Sequence, residues 1–182
     1  GPITLLEEVG IDVAAKAGNV ISDAFGARMN PSKSLQQVIA SGRYGRKSKK
    51  GFYLYDEEGK KGGVDPTIYD LLPTGTQRSD FPPEEIVDRT VLAMVNGAVR
   101  TLEDGIIRSP RDGDIGAVFG MGFPPFRGGP FRYIDSLAAA EVVRRLDALN
   151  ERFSPRFEPS DKLREVARRK ERFYPATGKP VD

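Results

Sequence analysis

Apolar residues recur every three or four positions along most of this chain, which is the spacing that places them on one face of an α-helix. The first such run covers residues 11–25 and is predicted to end at Gly26. A shorter helix is predicted from about Ser32, with Asn30 or Ser32 as its cap and Gly42 as its stop. Every substantial element of the chain is therefore predicted to be helical.

The second half carries the same spacing in longer runs. Glu84 and Glu85 follow two prolines and begin a long amphipathic helix that is predicted to reach Gly105. Ser109 then supplies the cap of a short helix through Val118. Two further helices are predicted from the remaining stripes, over residues 142–153 and 160–169.

One short stretch between the halves has a different character. Residues 51–56 are rich in aromatic side chains, as β-strands are, and Glu58 and Gly59 supply a turn after them. Glycine, proline and charged residues dominate from there to residue 82, which predicts a surface linker. The predicted organisation is a first helical unit over residues 1–55, a linker over 56–82 and a second helical unit over 83–182.

Composition narrows the chemistry that the chain can perform. The 182 residues include no histidine and no cysteine, so imidazole bases, thiol nucleophiles, disulfides and the usual zinc sites are excluded. Lys and Arg total 28 against 26 Asp and Glu, and this near balance gives no general attraction to nucleic acid. The apolar run at 115–123 is far too short for a membrane span, and we expect a cytoplasmic protein.

A basic run lies just before the aromatic stretch and permits two interpretations. It could bind an anionic ligand such as a phosphorylated cofactor, or it could be a solvated approach to a hairpin, which the balanced net charge favours. The residues concerned lie between Arg43 and Lys50: Arg43, Arg46, Lys47, Lys49 and Lys50.

A group of carboxylates in the second half invites a metal or acid–base hypothesis. Its spacing fits no calcium loop, and Asp112 is better explained as a residue at the start of a helix, so a structural role is favoured. The group consists of Glu103, Asp104, Asp112 and Asp114.

The glycine- and proline-rich stretch from Gly116 to Pro130 leads into a short motif, here called the repeated phrase, that resembles the first seven residues of the chain. Residues 129–135 read GPFRYID, and residues 1–7 read GPITLLE. Such a loop could form the wall of a ligand site or a packed corner between helices, and the repetition favours the corner. If the phrase marks equivalent points of a duplicated unit, the first unit lacks the counterpart of the helix at 84–104. The apolar faces of residues 3–39 are then expected to be partly uncovered.

Longer motifs in the sequence resemble one enzyme family. Residues 112–135, DGDIGAVFGMGFPPFRGGPFRYID, are similar to the C-terminal part of fatty acid oxidation complex alpha subunits, which join an enoyl-CoA hydratase to a 3-hydroxyacyl-CoA dehydrogenase. Residues 1–12, 45–56 and 156–167 resemble the same family in the same order. The resemblance implies a mainly α fold of two related helical units, the first truncated at its N-terminus, with a small β-hairpin-like segment.

The resemblance also implies where the chemistry of the family lies. Its dehydrogenase uses a His oriented by a Glu, with a Ser and an Asn, and none of these positions is matched in this chain. Asp88 lies near where the Asn would be in the second unit, Asn96 is not its match, and Gly97 replaces a residue that is usually acidic. No catalytic, cofactor-binding or metal-binding residue is therefore assigned to these 182 residues.

The resulting functional hypothesis is a scaffold fragment. It is expected to be inactive alone, while its parent oxidises 3-hydroxyacyl-CoA to 3-ketoacyl-CoA with NAD and associates with a thiolase subunit. The fragment would close the cleft and pack neighbouring domains, and its uncovered apolar faces would favour self-association. The alternative is a freestanding helical module that binds a protein or an anionic ligand.

Overall fold

A computed structural model of the chain describes residues 1–30, 33–73, 75–77 and 79–175, which form two compact units, Gly1–Asp80 and Phe81–Asp182. The mainly α fold with a small hairpin is confirmed. The predicted cap at Ser32 lies outside the described residues. The described elements of the first unit, in chain order, are α1 (Pro2–Val9), α2 (Ile11–Phe25), α3 (Lys33–Ala40), β1 (Tyr53–Tyr55) and β2 (Lys61–Val64). Those of the second are α4 (Pro83–Glu103), α5 (Pro110–Met121), α6 (Pro130–Leu137), α7 (Ala139–Arg152) and α8 (Asp161–Arg169).

The first unit is built on a small apolar core. Ile11 at the start of α2, Val38 in α3 and Ile68 are all buried there. Side chains that pack against these three come from every part of the unit: Leu6, Leu35, Ile39, Phe52, Tyr69 and Leu71. A core of this size leaves much of the stability of the unit to the buried polar contacts described below.

The segment expected to be a surface linker contributes to the first unit. Strand β2 pairs antiparallel with β1, with Tyr53 opposite Val64 and Tyr55 opposite Lys61. Ile68, in the short 3₁₀ turn that follows, is only 2% exposed. The polar composition of residues 56–82 predicted a linker. The segment nevertheless belongs to the unit, because one buried isoleucine and one hairpin strand are enough to anchor it. The compact unit accordingly extends to Asp80.

The second unit has the larger core. Helix α4 packs against α6, α7 and α8, and it buries Leu92, Val95 and Val99 in the process. Phe131 of α6 lies fully buried at the centre. The predicted cap at Ser109 is confirmed, since its Oγ accepts from the N–H of Asp112. At the start of α8, Ser160 Oγ accepts from the N–H of Leu163 in the same way, a cap that was not predicted.

The repeated phrase occupies the same kind of position in both units. In each copy the proline lies at the first turn of a helix, Pro2 in α1 and Pro130 in α6. Each helix ends at a residue with positive φ, Gly10 at 103° and Ala138 at 71°, and the next helix begins directly after it. The phrase therefore forms a helix with sharp turns on both sides. Its helical character was not predicted.

Helices α1 and α2 keep large apolar side chains in solvent, in line with the expectation for residues 3–39. Leu5 is 66% exposed and Val20 is 69% exposed, and Val9 and Phe25 are also exposed. A cavity of about 430 Å³ lies between α2 and α3 and is lined in part by Leu35 and Ile39. Because monomeric proteins rarely expose large apolar patches, these exposed residues of α1 and α2 are candidates for contact with another protein segment.

Two glycines inside helices predict opposite mutational effects. Beyond the adjacent turns of α4, no atom of the described residues lies within 4 Å of the position that a Cβ would take at Gly97, so Gly97→Ala is expected to stabilise the protein by about 1 kcal/mol through helix propensity alone. At Gly113 in α5, a Cβ would overlap the ring of Phe131 and lie 2.7 Å from Cδ1 of Ile107. Gly113→Ala is therefore expected to destabilise it. Urea denaturation of both variants checks the pair, and a loss of stability in Gly97→Ala would contradict the open space found there.

Candidate functional site

A buried carboxylate organises the first unit. Glu7 is 1% exposed, and its Oε1 accepts hydrogen bonds from the backbone N–H groups of Phe52 and Tyr53. Its Oε2 accepts from the hydroxyl of Tyr55. Burial and the neighbouring Glu7 carboxylate raise the pKa of Tyr55 above its ordinary value. Every oxygen of Glu7 is thus occupied by the hairpin segment, and none is directed at a ligand.

The second unit repeats this arrangement. Asp135 of α6, which follows Pro130 at the same interval as Glu7 follows Pro2, accepts from the N–H groups of Phe173 and Tyr174 at 2.9 and 2.8 Å. Both units therefore bind a Phe-Tyr dipeptide through its successive amides. A lysine three residues before each phenylalanine, Lys49 or Lys170, has φ of 56°. The shared geometry supports the duplication and gives both carboxylates a structural role.

The first unit also contains a buried ion pair, between Arg43 and Asp65. The Nη1 atom of Arg43 lies 2.7 Å from Oδ2 of Asp65 and donates to the carbonyl of Gly51 at 2.8 Å. Its other guanidinium nitrogen donates to the hydroxyl of Thr67. Burial alone would raise the pKa of Asp65, but the hydrogen bonds from Arg43 and Thr67 outweigh burial and hold that pKa well below its usual range.

Each side chain of the basic run from Arg43 to Lys50 lies against an internal carboxylate, and Asp65 is shared by Arg43 and Lys50. Arg43 is the buried residue of the pair described above, and the other four side chains each lie against a carboxylate. The ion pairs are Arg46 with Glu8 at 3.0 Å, Lys47 with Asp12 at 2.5 Å, Lys50 with Asp65 at 3.5 Å, and Lys49 with Glu57. This pairing favours the structural interpretation of the run over an anion-binding one.

The four carboxylates singled out in the second half do not converge. Glu103 accepts from the N–H of Lys162, Asp104 ends α4, and Asp112 lies in the first turn of α5. Only Asp114 is buried among them. Within the described residues no three potential ligand side chains are grouped so that they could hold a metal ion. The structural interpretation is therefore favoured here as well.

Asp114 fastens α5 to the segments around it. Its Oδ1 accepts from the N–H of Phe131 at 2.7 Å, and its Oδ2 accepts from the hydroxyl of Tyr174 at 2.7 Å. Burial raises the pKa of Asp114, and these hydrogen bonds oppose that rise only in part. Gly129 has φ of 112°, and a Cβ there would lie 2.5 Å from Cγ of Asp114, so the glycine is required at this approach.

A shallow cavity of about 280 Å³ lies beside Asp114. Apolar side chains form most of its wall, and two arginines, Arg111 and Arg132, lie at its edge. The guanidinium of Arg132 lies 4.0 Å from the centre of the Tyr174 ring. The apolar wall consists of Ile115, Val118, Phe119 and Pro125. Of the two arginines, Arg132 is thus stacked on Tyr174, while Arg111 has no ion pair or hydrogen bond among the described residues.

Residues near the position of the family's catalytic asparagine have structural partners. Asp88 lies 3.3 Å from Nη1 of Arg145. Asn96 donates from Nδ2 to the carbonyl of Glu158 at 2.8 Å and accepts from the N–H of Ser160 at 2.9 Å, which ties α4 to the start of α8. Both polar atoms of the Asn96 amide are therefore used in contacts within the second unit.

The described residues do not fit a dinucleotide. A phosphate-binding glycine turn needs a strand before it and a helix after it. Gly116 and Gly120 lie inside α5, and the two strands of the described chain form a hairpin in the other unit. No step of hydride transfer is therefore derived from these residues.

The anchor residues Glu7, Asp135 and Arg43 were not singled out as such by the sequence. One signal was available for the first two, because the repeated phrase places an acidic residue at its seventh position in both copies and the Phe-Tyr dipeptide also occurs twice. Arg43 was grouped with its exposed basic neighbours, and its partner Asp65 lies 22 residues away.

Comparison with known proteins confirms the resemblance seen in the motifs. Residues 1–55 match the family model of the 3-hydroxyacyl-CoA dehydrogenase C-terminal domain. Over 96% of its length the chain is similar to the fatty acid oxidation complex subunit alpha of Shewanella loihica, at 48% identity, and to those of Shewanella amazonensis and Vibrio vulnificus, both at 49%. It spans only 24–25% of the length of these relatives.

Solved structures show the same fold. The fold is similar to that of a 3-hydroxybutyryl-CoA dehydrogenase from Escherichia coli K12, with a TM-score of 0.69 and 21% sequence identity. The match covers 93% of this chain and 51% of the dehydrogenase. The dehydrogenase part of multifunctional enzyme 1 from C. elegans is similar as well, with a TM-score of 0.64 and 24% sequence identity. That match covers 91% of this chain and 38% of the C. elegans chain. Among the described residues, no helix is both long and apolar enough to cross a membrane.

Proposed function

We propose that this chain is the helical C-terminal scaffold of a fatty acid oxidation alpha subunit, and that it is inactive alone. The parent protein oxidises 3-hydroxyacyl-CoA with NAD and also carries an enoyl-CoA hydratase. The observation that carries the proposal is the similarity to alpha subunits along 96% of the chain. Glu7, Asp65 and Asp135 support it, because these buried carboxylates are engaged in internal hydrogen bonds and none is free to act as a base.

The scaffold role is inferred from the buried hydrogen bonds inside each unit. Each unit clamps a returning segment onto a helix through a buried acid, which gives two rigid bodies on which neighbouring domains can be positioned. We propose that in the parent these bodies border the acyl-CoA and NAD cleft, and that a cytoplasmic thiolase subunit is the partner of the parent. Self-association of the isolated chain through the exposed apolar side of α1 and α2 is part of the same proposal.

A domain exchange tests the proposed function. In the Shewanella loihica alpha subunit, the 174-residue region that aligns with this chain is replaced by the chain itself, and NADH formation from a 3-hydroxyacyl-CoA is measured. We expect activity within about tenfold of the unaltered subunit, a barrier change of less than about 1.4 kcal/mol. The same subunit without the region and the 182-residue chain alone are both expected to form no NADH.

Two results would count against the proposal. One is an exchanged subunit that folds yet is no more active than the deletion protein. The other is NADH formation by the isolated chain, which would place catalytic groups inside it and would favour neither the scaffold nor the alternative of a freestanding interaction module.

A further inference from the structure

The outer face of α5 carries large apolar side chains that the described residues leave exposed. Phe119 is 86% exposed, and Ile115, one helical turn earlier, is also exposed. Phe126 is 83% exposed and follows Pro125, which lines the same cavity as Phe119 and Ile115. We call Ile115, Phe119 and Phe126, together with the cavity, the α5 face. An apolar surface beside a cavity is typical of a docking site for another protein segment.

Two further glycines of α5 have open space beside them. Apart from their own stretch of helix, no described atom lies within 4 Å of the position that a Cβ would take at Gly116 or at Gly120, although glycine weakens a helix interior. Gly113 of the same helix is different, because it is required by the close approach of Phe131. Packing among the described residues therefore explains Gly113 but neither Gly116 nor Gly120. Gly116 lies three residues before Phe119, on the neighbouring part of the helix surface, and leaves room there for a partner.

The charges around the α5 face are mainly positive. Arg111 and Arg132 line the cavity, and within the described part of the chain Arg111 has no ion pair or hydrogen bond. Arg108 is exposed and meets Asp112 only at 3.9 Å. Asp114, the acidic residue of the cavity wall, is buried and occupied by Phe131 and Tyr174. The face is complementary to a segment that is apolar in its centre and acidic at its edges.

We propose that the α5 face docks an amphipathic, acidic segment of the parent polypeptide that lies outside these 182 residues. About three quarters of the length of the relatives is outside the region that this chain matches, which supplies such a segment in the same molecule. A second copy is disfavoured, because a two-fold contact would bring Arg111 and Arg132 against the same residues of the partner. The inference rests on the proposed function in so far as the segment belongs to an alpha subunit.

Oxidative footprinting tests the proposal in the exchanged alpha subunit described above. We expect the oxidation rates of Phe119 and Phe126 to be lower by roughly tenfold than in the isolated chain, in proportion to the exposed area lost. Gly116→Leu is expected to restore the reactivity of Phe119 in the exchanged subunit, while the isolated variant keeps its unfolding midpoint. Gly97→Leu, at the open glycine of α4, is the matched control and is expected to leave Phe119 protected.

Several outcomes would overturn the proposal. Equal oxidation rates in the two proteins would show that nothing covers the face. Protection that grows with the concentration of the isolated chain would assign it to a second copy, and protection of the isolated chain by added acetoacetyl-CoA would assign it to a small anion. If the exchanged subunit does not fold, the isolated chain is mixed with the alpha subunit that lacks the aligned region, and Phe119 must become protected on mixing.

The oxidative footprint tests the docking proposal independently of the proposed function. It is read without substrate, so an exchanged subunit that is inactive but protects Phe119 supports docking and contradicts the function. An active subunit in which Phe119 and Phe126 remain reactive contradicts docking alone.

Discussion

Arg43→Met is expected to destabilise the first unit by about 3–5 kcal/mol, because it removes the buried charge partner of the Asp65 carboxylate and leaves only the half-exposed Lys50 near it. The substitution also removes the donors to the carbonyl of Gly51 and the hydroxyl of Thr67. A loss of this size is a large fraction of the total stability of a small domain. Urea denaturation followed by amide exchange in β1 measures it, since the chain contains no tryptophan to report on the unit.

The pH dependence of this variant provides a sharper test than its stability at one pH. The pKa of Asp65 is lowered in the folded protein, so its contribution is present above the unfolded value of about 4 and is lost as the pH falls toward the folded value. In Arg43→Met the hydrogen bonds from Thr67 remain, and we expect burial to outweigh them and to raise the pKa of Asp65 above its ordinary value. Arg43→Met is therefore expected to gain stability as the pH is lowered from 7 toward 4, where the wild type begins to lose it.

Lys50 offers a matched control for the same carboxylate. Its Nζ lies 3.5 Å from Oδ2 of Asp65, but the side chain is about half exposed. Lys50→Met is expected to cost less than about 1 kcal/mol, as exposed ion pairs do. Similar losses in Lys50→Met and Arg43→Met would contradict the distinction between the buried and the exposed partner.

The helices could be predicted from the sequence where local signals agree. Residues 11–25 carry an apolar stripe and a following glycine, and α2 has these bounds. The starts of α5 and α8 were marked by Ser109 and Ser160, whose hydroxyls act within three residues. These features depend on spacing and capping, which are local along the chain.

Contacts between distant residues could not be predicted in the same way. Arg43 differs from its basic neighbours only because Asp65 and the Gly51 carbonyl surround it in the folded unit. Residues 61–68 resemble a linker in composition, yet β2 gains its partner from β1 and Ile68 gains its burial from Ile11 and Val38. Tertiary packing outweighs composition in both cases.

The α5 face could be predicted only in part. The sequence indicated a stretch with many glycines and interleaved phenylalanines, and it left a ligand wall and a packed corner as alternatives. The structure divides that stretch: Phe123 and Phe131 are buried in a corner, while Phe119 and Phe126 are exposed beside a cavity. Burial separates residues of one type that the sequence cannot tell apart.

Alanine at either anchoring acid is expected to release the segment that the acid binds. Glu7→Ala removes the acceptor of two amides and of the Tyr55 hydroxyl, and a cost of at least ~3 kcal/mol is expected from about 1–3 kcal/mol for each buried donor left unpaired. Asp135→Ala leaves the amides of Phe173 and Tyr174 without acceptors and is expected to cost about 2–4 kcal/mol. Amide exchange of the Phe-Tyr dipeptide in each unit, together with urea denaturation, measures the two effects separately.

The amide variants distinguish the two anchors by the kind of donor that each one binds. In Glu7→Gln, the side-chain oxygen can accept from Phe52 and Tyr53 while the NH₂ group donates to Tyr55, because a hydroxyl can reverse its role. In Asp135→Asn, the NH₂ group must face a backbone N–H, which cannot accept, so one of the two bonds is lost. We therefore expect Asp135→Asn to destabilise its unit by about 1–3 kcal/mol and Glu7→Gln to cost less than about 1 kcal/mol. The reverse order would show that the negative charge of Glu7, rather than the number of its acceptors, holds the hairpin segment in place.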